Sequence, residues 1–163
     1  MKTHETAVLA AGCFWGVEDL LRNLPGVTST RVGYCGGSAE QAAYKFVKTG
    51  VTGHAETVKI EFDPAKLSYS DLLAVFFRLH DPTQLNRQMN DVGTQYRSAI
   101  FYQSEDQRIA AEAKIREVNE SHKWPKPIAT VIVPAEPFYD AEEAHQDYLV
   151  KNPGGYTCHW MRD

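Results

Sequence analysis

The 163-residue chain has little cysteine: Cys13, Cys35 and Cys158 are the only three. They form no CxxC pair and no zinc-ligand spacing, and so sparse and odd a set is not a disulfide scaffold. The six histidines (His4, His54, His80, His122, His145 and His159) contain no HxH, HxxxH or HExxH arrangement, so no metal site is expected. A phosphate-cradling glycine loop and a GxSxG elbow are both missing, which removes P-loop chemistry and the serine hydrolases. Basic blocks are also missing, and the formal net charge is −4 at pH 7, which argues against a nucleic-acid partner. No apolar run is long enough to span a bilayer, and residues 1–6 lack the apolar region of a signal peptide. The expectation is a soluble, cytoplasmic protein without membrane association.

What is present fits one catalytic domain over residues 1–163. Residues 6–11 read as a strand and 14–24 as a helix stopped by Pro25-Gly26. Residues 27–34 form a strand ending in the glycine-rich turn 33–37. A short helix over 39–48 carries Tyr44, and the alternation of 57–62 predicts a strand. An apolar face over 68–79 predicts a helix with Ser70 as its cap. The polar stretch 80–96 reads as a long loop, of a kind that usually carries function. A strand (98–102), a helix (105–121), a strand (129–133) and a short helix (141–150) follow. The Pro/Gly-rich segment after 151 predicts a flexible C-terminal tail over about 151–163. The alternation predicts an α/β (α+β) fold, a two-layer sandwich with helices packed on a mixed β-sheet.

Cys13 stands in Gly12-Cys13-Phe14-Trp15-Gly16, where the first strand hands over to the first helix. Free N–H groups and the helix dipole at such a place lower a thiol's pKa. The two glycines allow a tight turn and close approach by another molecule, and the aromatics offer an apolar wall. By itself the same segment also reads as a buried cysteine in a core. Glu56, just before a strand, is an ordinary exposed carboxyl unless burial raises its pKa. Asp91 reads as a turn residue, and Tyr44 and Tyr96 as packing residues with their hydroxyls at the surface. Cys158 lies on the tail, where a mobile thiol reaches a distant sulfur, and Cys35 lies in a glycine-rich turn. Two other readings stay open at this point. One is a cysteine hydrolase or acyltransferase pairing Cys13 with His54 or His145. The other is a non-catalytic module that holds methionine peptides on Phe14 and Trp15.

Five segments in order resemble the peptide methionine sulfoxide reductase A family over nearly the whole chain: residues 12–16 (GCFWG), 33–37 (GYCGG), 53–56 (GHAE), 90–98 (NDVGTQYRS) and 144–149 (AHQDYL). The resemblance implies an oxidoreductase that reduces methionine S-sulfoxide, free or in proteins. Cys13 would be the nucleophile, with Phe14 and Trp15 holding the substrate methyl. Glu56 would donate a proton to the sulfoxide oxygen, helped by Tyr44 and Tyr96, and Asp91 would organise the site. A sulfenic acid on Cys13 would then condense with a resolving thiol, Cys158 or alternatively Cys35. Thioredoxin or a similar reductant would reopen the disulfide, with no cofactor and no metal. The chain departs from the family pattern at Gln41-Ala42-Ala43 before Tyr44, at Met89, and at Thr157, which separates Tyr156 from Cys158.

Overall fold

The computed structural model describes residues 4–163. Six strands form the main sheet: β1 (Glu5–Ala11), β2 (Val27–Cys35), β3 (Ala55–Phe62), β6 (Ser98–Tyr102), β7 (Val131–Pro134) and β8 (Phe138–Asp140). Their spatial order is β7-β6-β1-β3-β2-β8. The β6–β7 pair is parallel and the other four pairings are antiparallel, so the sheet is mixed. The helices are α1 (Phe14–Arg22), α2 (Tyr44–Val47), α3 (Tyr69–Leu79), α4 (Glu105–Glu120) and α5 (Tyr148–Lys151). The architecture is the α/β sandwich expected from the alternation of elements.

β1 lies inside the sheet and is buried on both sides, as its unbroken apolar run requires. Ala7, Leu9 and Ala11 join the larger core, while Val8 and Ala10 face a smaller one. The same alternation runs through β3. Val58, Ile60 and Phe62 enter the larger core, with α1 and α3 supplying Phe14, Val17, Leu21, Leu72, Leu73 and Phe76. Glu56 shares the parity of those three β3 residues, so it points into that layer near the start of α1.

Several local expectations change. Ser68, not Ser70, caps α3, its Oγ accepting from the Asp71 N–H at 3.0 Å. The helix expected over 39–48 is split into a 3-10 turn (Ala39–Gln41) and the short α2. The polar stretch 80–96 contains a small hairpin, β4 (Arg87–Gln88) with β5 (Asp91–Val92), and a 3-10 turn at Thr94–Tyr96. β8 pairs with β2 along Gly33–Cys35 and has no clear pattern in its three residues. After α5 the chain is irregular, yet it is docked. The Arg162 N–H donates to the Arg78 carbonyl at 3.0 Å, and Arg78 Nε donates back to the Arg162 carbonyl at 2.6 Å.

Candidate active site

Cys13 occupies the N-cap of α1 and is 7 % exposed. Glu56 is 2 % exposed, and its Oε1 accepts the Phe14 N–H at 3.2 Å. The carboxyl therefore answers one of the free donors in the first turn of the helix that Cys13 caps. A cavity of about 140 Å³ opens above them, lined by Cys13, Trp15, Tyr44, Glu56, Asp91, Tyr96 and Tyr156. That is about ten times the space one water requires, enough for the end of a side chain.

Burial decides the charge states. It pushes the Glu56 carboxyl up to about 8, against the opposing pull of the Phe14 N–H and with a smaller push from Asp91. A carboxylic acid that is mostly neutral at pH 7 is the outcome. The Cys13 thiol moves the opposite way from the sequence expectation. Burial drives it well above the ordinary thiol range, nearby Glu56 adds to this, and the Trp15 N–H at the helix start recovers only part. The helix terminus is present, but desolvation of a thiolate outweighs it. With Glu56 neutral, the charge that Cys13 feels from it disappears. Burial also raises Tyr44 and Tyr96, so both phenols remain proton donors at neutral pH.

Second-layer residues hold these groups in place. Glu142 takes the Tyr34 hydroxyl at 2.7 Å on one oxygen and the Tyr44 N–H at 2.9 Å on the other, which fixes the start of α2. Trp15 Nε1–H donates to His145 Nδ1 at 3.0 Å, and the indole stacks on Tyr148 with centroids 3.8 Å apart. An indole N–H only donates, so His145 Nδ1 is the unprotonated nitrogen. Gln146 is buried and replaces a missing strand edge. Its Oε1 accepts the Val32 N–H at 2.8 Å, and its Nε2 donates to the Val32 and Ala141 carbonyls at 2.8 and 3.1 Å. Sequence reading missed Glu142 and Tyr156, and placed Gln146 and Tyr148 in the segment 144–149 without giving either a task.

Not every expected residue reaches the cavity. Phe14 is 1 % exposed and packs on Tyr34 and His145, so its ring lies in the core and Trp15 alone of the pair lines the cavity. Cys35 is fully buried on the opposite side of β2 from Tyr34, among Val8, Ala10, Ala55, Ala99 and Phe101, with Sγ toward the Glu136 carbonyl at 3.7 Å. Strand parity separates it from Cys13. His54 is also committed elsewhere: Nδ1 accepts the Gly37 N–H at 3.1 Å and Nε2 sits 2.8 Å from the Ser38 carbonyl. A Cys13–His54 hydrolase pair therefore has no basis in the fold. His145 has given its free nitrogen to Trp15.

Cys158 is held beside the site. Its Sγ lies 3.8 Å from Asp91 Oδ2, which also accepts the Tyr156 hydroxyl at 3.1 Å. Both glycines of the Cys13 segment serve this arrangement. Gly12 has φ +94°, and a Cβ there would meet Gln88 Cβ at 2.7 Å. A Cβ on Gly16 would lie 2.5 Å from His159 Nδ1 and also strike Thr157. The close approach expected at these glycines is made by the chain itself, by Gln88 at Gly12 and by the tail at Gly16.

A buried thiol, a neutral acid beside it and a second thiol at the rim define a thiol-dependent oxidoreductase. Comparison with known proteins narrows the class: the family model for peptide methionine sulfoxide reductase matches residues 5–163. The chain belongs to that family. It is 54% identical over 158 residues to peptide methionine sulfoxide reductase MsrA 1 of Mesorhizobium japonicum, covering 97% of this chain and 90% of that one. Among solved structures, Mxr1 from Saccharomyces cerevisiae in reduced form is 39% identical with a TM-score of 0.93, covering 99% of this chain and 93% of that one. Mxr1 in complex with Trx2 is 26% identical with a TM-score of 0.68, covering 99% of this chain and 91% of that one.

Proposed function

We propose that Cys13 attacks the sulfur of methionine S-sulfoxide in the cavity, with Glu56 as the proton donor to the sulfoxide oxygen. The observation that carries this reading is the convergence of Cys13, Glu56, Tyr44, Tyr96 and Asp91 on one cavity of about 140 Å³. A sulfoxide oxygen leaves poorly until it is protonated, and a carboxyl pushed up to about 8 still carries its proton at pH 7. Tyr44 and Tyr96 add donors where charge changes during the reaction. Trp15 supplies the apolar wall for the substrate methyl.

Glu56 protonates the sulfoxide oxygen as the Cys13 sulfur attacks, the thiol's proton restores the Glu56 carboxyl, and the hydroxyl passes from the substrate sulfur to the Cys13 sulfur. Cys13 sulfur is oxidised to the sulfenic acid as the substrate sulfur is reduced, and methionine leaves. Cys158, held against Asp91, then displaces water from the sulfenic acid to form the Cys13–Cys158 disulfide. A thioredoxin reopens it by thiol–disulfide exchange; the Mxr1–Trx2 complex in a relative supports this partner. The residues need no metal and no organic cofactor for these steps. Three unpaired cysteines and dependence on a reductant fit a reducing compartment such as the cytoplasm. Among the described residues, no helix is long and apolar enough to cross a membrane.

The test is a thioredoxin-coupled assay on the separated S- and R-sulfoxides of a methionine peptide. Turnover of S with mapping of a Cys13–Cys158 disulfide is expected. Turnover of R alone, or a bridge that excludes Cys13, would overturn the assignment.

A further inference from the structure

His159 follows Cys158 in the chain. It is 6 % exposed, and its Nε2 lies 2.6 Å from the Ala11 carbonyl, two residues before Cys13. A carbonyl only accepts, so Nε2 carries the ring proton and Nδ1 is bare. That bare nitrogen lies 3.8 Å from Cys158 Sγ. The ring is thus anchored to the segment that ends in one reacting sulfur and presents a lone pair to the other.

We propose that His159 is the proton acceptor for Cys158 when the disulfide closes, which rests on the reading of Cys158 as the resolving thiol. As the Cys158 sulfur attacks the Cys13 sulfenic acid, its proton passes to His159 Nδ1. The S–S bond forms while the Cys13 S–O bond breaks. The imidazolium then returns the proton to the departing hydroxide, which leaves as water. One sulfenic acid and one thiol become one disulfide and one water: Cys158 sulfur is oxidised and Cys13 sulfur is reduced, with no further reactant.

The surroundings keep the ring unprotonated but make it a weak base, so the transfer accompanies S–S bond formation and does not precede it. Burial lowers His159 to about 4, helped by the positive charge of Arg162 and opposed by the Ala11 carbonyl. The ring is therefore neutral and able to accept throughout the neutral range. Cys158 itself is raised by burial and by Asp91, so at rest it is a thiol and needs an acceptor. The titratable and charged groups around the ring are Cys158, Arg162 and His80 at the end of α3. His80 is lowered to about 3 and stays neutral as well. Asp91 touches the same sulfur at 3.8 Å, but its Oδ2 already holds the Tyr156 hydroxyl. Asp91 also lines the candidate cavity, whereas His159 lies next to Cys158 on the backbone and outside that lining.

The experiment is a single turnover of the full-length reduced protein with one equivalent of methionine S-sulfoxide. Methionine release, a sulfenic-acid trap and the mapped disulfide are followed separately. His159→Gln places an amide nitrogen where Nε2 donates to Ala11 and removes the basic nitrogen facing Cys158. Methionine release is expected at the native rate, which also shows that the variant is folded. Disulfide closure is expected to slow about a hundredfold at pH 7, with the sulfenic acid accumulating. Closure in the native protein is expected to be flat between pH 6 and 8, and in the variant to rise about tenfold per pH unit as solvent hydroxide takes over. Native closure that itself rises tenfold per unit would overturn the proposal, even if the variant did not fold. So would unchanged closure in His159→Gln, or the same pH signature in Asp91→Asn instead. A native bridge that omits Cys158 would show instead that the underlying reading has failed.

Discussion

The Phe14 N–H donates to Glu56 Oε1 at 3.2 Å, so this carboxyl is fastened to the residue that follows Cys13. Cys13 follows β1 and Glu56 lies on β3, and one hydrogen bond at the start of α1 ties the two segments together. The same bond opposes the rise in the Glu56 pKa without cancelling it. The site depends on that balance.

Glu56→Gln keeps an oxygen for the Phe14 N–H and removes the proton. Sulfoxide reduction is expected to fall about 10²- to 10⁴-fold. In the native enzyme, methionine release is expected to decline as pH rises through about 8, where Glu56 ionises, and the variant is expected to lack that decline. The stability consequence has a definite sign. The folded pKa is raised, so between about 4.5 and 8 the unfolded chain loses this proton while the folded one keeps it. The Glu56 contribution to stability is present below about 4.5 and lost as pH rises to about 8. Denaturant titrations of native protein and variant at pH 5 and pH 8 read the difference.

Cys158→Ser is expected to release one methionine per enzyme and then stop, with no thioredoxin-driven turnover. Cys35→Ser is expected to turn over normally, because Cys35 lies in the smaller core and outside the cavity. Product counting in the presence and absence of thioredoxin distinguishes the two. Normal turnover by Cys158→Ser would remove it from the reaction.

Gly16→Ala inserts a methyl where His159 and Thr157 cross α1. Overpacking of this kind costs about 1–3 kcal/mol. The tail is the part free to give way, so the loss is expected to fall on disulfide formation while the first methionine is still released. Thermal denaturation and single-turnover product analysis check the two halves of this expectation.

Gln146→Leu deprives the Val32 N–H and the Val32 and Ala141 carbonyls of their partner in a buried place. A loss of about 1–3 kcal/mol per stranded group is the expected scale. The Tyr34–Glu142–Tyr44 connection sits beside this joint, so KM for the sulfoxide is expected to rise as well. Calorimetry with steady-state kinetics separates stability from affinity.

Much of this was legible in the residues. The apolar run of 7–11 announced a strand buried on both faces, and β3 alternates as expected. Motif order along the chain placed Cys13, Glu56, Tyr44, Tyr96, Asp91 and Cys158 in one chemistry, and the fold brings them together. Three things were not legible. The parity of Val58, Ile60 and Phe62 could have pointed Glu56 inward, but local sequence alone left it an exposed acid. The resemblance implies that Phe14 and Trp15 both hold the substrate methyl, yet only Trp15 lines the cavity, because successive residues at a helix start face different directions. The β4–β5 hairpin has strands of two residues, too short for any periodicity to register.

By itself, the sequence determined the longer strands and helices and which chemical groups are available: three thiols, an acid beside a strand, two phenols and an aromatic pair. Those follow from local alternation and side-chain type. Tertiary structure decided how each group behaves. It buried Cys13 deeply enough to reverse the effect of the helix terminus, and it kept Glu56 protonated to about 8. It sent Cys35 to the other face of the sheet and brought Cys158, 145 positions after Cys13, against Asp91. The physical reason is desolvation. The cost of a charge depends on which distant segments exclude water from it, and only the folded chain sets that.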